Sequence, residues 1–66
     1  MIGFYSKFEL VKMLFKGKDE RADSETLRII KKMKKSYLNL NDFEFMKIFP
    51  VELRQIRRGT FYLKQS

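Results

Sequence analysis

The sequence predicts an all-α fold, a compact bundle of three to four short helices in one domain spanning residues 1–66, with at most a minor strand pair between its ends. Three observations carry that expectation. Four segments repeat apolar residues at helical spacing, and two of them open on capping boxes. The one stretch of clear strand preference, Thr60-Phe61-Tyr62-Leu63, is confined to the C-terminus.

The first helix is expected over about Ser6 to Lys16. Ser6-Lys7-Phe8-Glu9 fits a capping box, in which Ser6 accepts from the amide of Glu9 and Glu9 accepts in return from the amide of Ser6. Phe8, Val11 and Phe15 recur on one side, with Leu10 and Leu14 beside them. Lys7, Lys12 and Lys16 keep to the other side, and Gly17 is a natural stop. A polar connector then leads to Asp23 or Ser24, either of which can cap a second helix. Its stripe is Leu27, Ile30, Met33 and Tyr37, with Ile29 at the edge. Glu25 sits in the first turn, where the helix dipole favours an acid.

Leu38-Asn39-Leu40-Asn41 reads as a turn, and Asn41-Asp42-Phe43-Glu44 as a second capping box. A short third helix follows, about Asp42 to Ile48. Pro50 disfavours helical backbone at Phe49 and suits the first turn of a fourth helix, about Pro50 to Arg58, closed by Gly59. That helix is expected to bury Leu53 and Ile56. The segment Thr60 to Leu63 either pairs with the extended start Ile2-Gly3-Phe4-Tyr5 or packs as a tail. Leu27, Ile30, Phe8, Val11 and Leu53 are the expected core.

A chain of 66 residues buries only about 60% of the surface its unfolded form exposes, so small domains often need a staple. This one has no Cys and no His, which removes disulfides, thiolate zinc sites and histidine ligands. Its resource is aromatic: 7 Phe and 3 Tyr serve a helical core, and the surplus leaves room for a homodimer interface. No apolar run reaches the length of a signal core or a membrane span, so the chain reads as cytoplasmic.

Catalysis has little to stand on. Ser6, Ser24, Ser36 and Ser66 have no histidine to activate them, and the three isolated glycines form no phosphate loop. Asp19, Glu20, Asp23 and Glu25 are close together, but their spacing matches no metal loop and suits a solvated linker before a helix start. The expectation is a protein that is not an enzyme and uses no cofactor.

Charge is the stronger signal. The net charge of +7 attracts polyanions without saying which. Lys31, Lys32, Lys34 and Lys35 flank Met33 and suit sequence-blind contact with phosphate, although a solvated helix face has the same composition. Arg54, Arg57 and Arg58 fall on one face of the expected fourth helix, with Gln55 near it. Arginine adds a planar fork that pairs bidentately with guanine or phosphate, whereas closure of a helix end is the plainer use.

Phe43 to Phe49 followed by Val51 to Gly59, with the closing Ile56-Arg57-Arg58-Gly59, resembles the small helix-turn-helix DNA-binding regulators. The resemblance covers about a quarter of the chain and lacks the usual glycine-containing turn, since Pro50 follows Phe49 directly. It implies a duplex-DNA-binding transcriptional regulator of phage or plasmid type, with Arg54, Gln55, Arg57 and Arg58 toward the DNA. The alternative is a small inhibitor or adaptor docking on an acidic host protein such as RNA polymerase or a replication factor. Phe45, Phe49, Phe61 and Tyr62 would then form the protein-binding surface. Exposed rings would also serve as a stacking platform for single strands. DNA is expected over RNA, and a membrane is the weakest partner because the rings of the first helix are needed for the core.

Overall fold

Ser6, Asp23 and Asn41 each open a helix by the same device. In the computed structural model, which describes residues 3–64, the Ser6 hydroxyl accepts from the Glu9 amide at 3.2 Å and the Glu9 carboxylate accepts from the Ser6 amide at 2.8 Å. The first capping box is therefore present in both halves. Asp23 accepts from the amide of Thr26 and Asn41 from that of Glu44, both at 2.8 Å. These caps satisfy donors that a helix start otherwise leaves unpaired.

The elements run β1 (Phe4–Ser6), α1 (Lys7–Phe15), α2 (Lys18–Arg21), α3 (Ser24–Asn39), α4 (Asp42–Ile48), β2 (Leu53–Arg57) and β3 (Thr60–Leu63). The connector between the first two expected helices thus contains a single extra helical turn, α2. The described residues are 58% helix and 19% strand. The fold is α+β, which corrects the expectation of an all-α bundle.

The correction lies in β2. The segment read as a fourth helix, about Pro50 to Arg58, is instead a strand from Leu53 to Arg57. A nine-residue helix is marginal unless packing supports it. Thr60 to Leu63 has strong strand preference and requires a partner. Gly59, at φ 77°, turns the chain back and supplies one. Leu53 then pairs with Leu63, Arg54 with Tyr62 and Gln55 with Phe61, before a bulge at Ile56 brings Arg57 opposite Thr60. The terminal segments also pair, one of the two arrangements the sequence leaves open: Phe4 lies opposite Tyr62 and Tyr5 opposite Phe61. Ile2, expected in that extended start, lies outside the described residues, as does Ser66. The sheet order is β1-β3-β2, antiparallel throughout.

Alternation along β3 divides the sheet into two faces. Phe61 is fully buried and Leu63 packs against the core, while Thr60 and Tyr62 point the other way. Leu10, Val11 and Phe15 of α1, Ile30 of α3, Phe45 and Phe49 at α4, and Leu53 of β2 complete the buried set. A chain of rings runs through it, with Phe15 against Tyr37, Tyr37 against Phe45, and Phe45 against both Phe49 and Phe61, at centroid distances of 5.3–6.3 Å. Of the expected core, Ile30, Val11 and Leu53 are inside. Phe8, Leu27, Met33 and Ile56 are exposed. Phe8 lies over the edge of the stripe beneath Lys12, whose ammonium sits 5.3 Å from its ring. Ile56 belongs to a helix face that does not form.

Candidate nucleic-acid interface

α3 is the longest element, at 16 residues, and Ile30 is the one residue of it that is buried. With the Ile30 and Tyr37 side turned inward, helical geometry turns Arg28, Lys31, Lys32 and Lys35 outward. They stand at i, i+3, i+4 and i+7, within about 100° of the circumference, and all four are exposed. Among the described residues none of the four is in an ion pair. Ser24, Glu25, Ser36 and Asn39 border the stripe, and all are exposed.

Lys34, expected in this set, is not part of it. It leans toward α2, where its ammonium lies 2.5 Å from Asp19 Oδ2 and 6.0 Å from the Phe15 ring. Arg28 takes its place. In the sequence Arg28 is one charge among several on this helix, and the lysine run draws attention to adjacency rather than to helical spacing. Its positions three before Lys31 and seven before Lys35 are the available signal.

The second cationic group is on the β-hairpin. Arg54 and Arg57 project from the outer face of the sheet, opposite Tyr62 and Thr60, and Arg58 occupies the turn before Gly59. All three arginines are exposed and among the described residues carry no ion pair. They share a hairpin rather than a helix face. Gln55, expected to assist them, is committed to structure. Its side-chain amide donates to Asp42 Oδ2 at 2.6 Å and to the carbonyl of Arg57 at 3.3 Å.

Asp42 holds this hairpin to the helices. Its Oδ2 also accepts from the backbone amide of Gly59 at 2.8 Å, and its Oδ1 lies 3.4 Å from Lys7 Nζ. Lys7 in turn donates to the carbonyl of Leu40. The Gly59 amide above all, helped by Lys7 and Gln55, outweighs the opposing effect of burial and keeps the Asp42 carboxyl below the usual carboxylate range. Asp23 is lowered as well, by its cap to the backbone and side chain of Thr26. Of the acidic segment, Asp19 is thus paired with Lys34 and Asp23 serves as a helix cap.

The protein-binding alternative rests on Phe45, Phe49, Phe61 and Tyr62. Phe45 and Phe61 are 0% exposed and Phe49 is 9% exposed, so these three rings are core. Tyr62 alone of the four reaches the surface. The exposed phenylalanines are others: Phe43 and Phe8, each beneath a lysine, and Phe4 on the sheet. No helix among the described residues is long and apolar enough to cross a membrane. Compared with protein-family models, curated proteins and solved structures, the chain has no match.

Proposed function

We propose that this protein binds duplex nucleic acid, with DNA preferred, by laying the outward face of α3 against it. The observation that supports this most is the stripe of Arg28, Lys31, Lys32 and Lys35, exposed and free of ion pairs among the described residues, with Glu25 adjoining it one turn before Arg28. Beyond Glu25 at its first turn, the stripe has no acid to offset its mutual repulsion, and a polyanion supplies that compensation. An α-helix with side chains is about 10–12 Å across, and the DNA major groove, about 12 Å wide, admits one. At about 1.5 Å per residue the stripe extends roughly 10 Å, so its cations can follow successive phosphates. The lysines position, and Arg28 has the fork that can also read guanine. The hairpin arginines Arg57 and Arg58, fixed by Asp42, add a second set of backbone contacts. Regulation of transcription, as by a small phage or plasmid regulator, is the role we assign to that binding.

Titration of a labelled duplex in about 0.15 M salt tests this. Arg28→Ala is expected to weaken binding by about 1–3 kcal/mol at a preferred site. Lys34→Ala, whose parent amine is spent on Asp19, is expected to leave duplex affinity near that of the wild type. Equal losses in the two variants would contradict the assignment of the α3 face.

A further inference from the structure

The outer face of the sheet has a chemistry that α3 lacks. Phe4 and Tyr62 stand side by side there across β1 and β3, each 39% exposed, with ring centroids 5.4 Å apart at an interplanar angle of 61°. Arg54 lies directly across from Tyr62 on β2. Ile56, displaced by the bulge and half exposed, lines the same shallow concavity. The neighbouring row carries Arg57 opposite Thr60. Glu52, which precedes β2, has its carboxylate 3.2 Å from Lys64.

The backbone is shaped to place the tyrosine. Gly3 has φ 97°, and a Cβ there would come within 2.8 Å of Tyr62 Cε1. The ring therefore lies across the glycine, where any other residue would displace it.

We infer that this face is a second nucleic-acid site, one for unpaired bases. Phe4 and Tyr62 stack the bases, and Arg54 and Arg57 take the adjoining phosphates. Charge selects this occupant over an apolar protein surface. The rings are flanked by arginines with no acidic partner among the described residues, an arrangement that a strand of phosphates neutralises and an apolar partner leaves buried and unpaired. Stacking needs only the face of a base, so the site is tolerant of sequence. It stands apart from the α3 stripe in surface and chemistry, and Arg57 of the hairpin is the one residue the two readings share.

The experiment adds an oligothymidylate of about twelve nucleotides to the intact chain and follows the ring protons of Phe4 and Tyr62 by NMR, with affinity measured in parallel. Both rings are expected to shift on binding. Tyr62→Ala is expected to weaken the single strand about tenfold or more while duplex affinity changes little, and Tyr62→Phe to retain it. Replacement of Arg28 and Lys32 by Ala should leave the ring shifts in place. Silent rings at saturating oligonucleotide would overturn the inference without requiring any variant to fold. So would a wild-type affinity in a folded Tyr62→Ala protein, or a concentration-dependent dimer that Tyr62→Ala abolishes, which would make a second copy the occupant. Loss of duplex binding alone would count against α3 and leave this site standing.

Discussion

Asp42 is the residue on which the hairpin's position depends. Its carboxylate accepts from the Gly59 amide and from Gln55 and faces Lys7, so a single side chain joins α1, α4 and the β2–β3 turn. Its pKa in the folded protein is below the ordinary value of about 3.9. The stabilisation it provides is accordingly complete above about pH 4 and is lost as pH falls through its lower folded value. Asp23, lowered by its cap, acts in the same direction. Thermal melts are expected to be flat from pH 7 to about pH 5 and to fall below about pH 4. Asp42→Asn should remove part of that fall, and an acid limb unchanged in this variant would show that Asp42 is not its source. The two phenylalanines of α4 make a sharper comparison. Helical spacing shows that Phe43 and Phe45 diverge, but spacing fixes relative and not absolute direction. The structure resolves the choice, with Phe45 0% and Phe43 67% exposed. Phe45→Ala is expected to cost about 3–5 kcal/mol in denaturant titration. Phe43→Ala should stay within roughly 0.5 kcal/mol, and a reversal would place the helix the wrong way round.

At the scale of elements, capped helices are legible in the sequence and the hairpin is not. A cap is a signal within four residues: Ser6 with Glu9, and Asn41 with Glu44, state their own geometry. A strand states only half of its own. Leu53 to Arg57 offers apolar positions at Leu53 and Ile56 that satisfy a helix, and nothing local reveals that Tyr62 and Phe61 will lie across from Arg54 and Gln55. The deciding influence is β3, which needs a neighbour, together with the Arg58-Gly59 turn that delivers one. Two cues for that turn are in the sequence, namely the glycine and the strand-forming run just after it. A helical reading of the same segment puts three arginines on one helix face, where the structure has two on a sheet and one in a turn. Gly59 is the position on which β2 depends. It has φ 77° and nothing close to where a Cβ would stand, so substitution there costs backbone strain and not collision. Gly59→Val is expected to destabilise by about 1–2 kcal/mol, and Gly59→Asn by less, since Asn tolerates this region better. Equal melting temperatures for Val, Asn and the wild type would mean that the turn does not hold the hairpin.

For the whole molecule, an aromatic core and a cationic exterior divide the work. The rings that suggest a docking surface in the sequence, Phe45, Phe49 and Phe61, are what lets a chain without cysteine or histidine close a core. Of the charges, those near the core are tied down: Lys7 to Asp42, and Lys34 to Asp19. The stripe on α3 and the arginines of the hairpin are not. The sequence shows an excess of cations, but which of them are spent internally depends on tertiary neighbours such as Asp19, fifteen residues from Lys34. The central claim, that the α3 stripe binds duplex, is tested most directly by the salt dependence of affinity. Each phosphate neutralised contributes about −0.9 to the slope of log K against log salt. Replacing Lys31, Lys32 and Lys35 together by Ala is predicted to make that slope less negative by about 2.7, with the helical content preserved. A slope identical to that of the wild type, in a folded variant that still binds duplex, would contradict the claim.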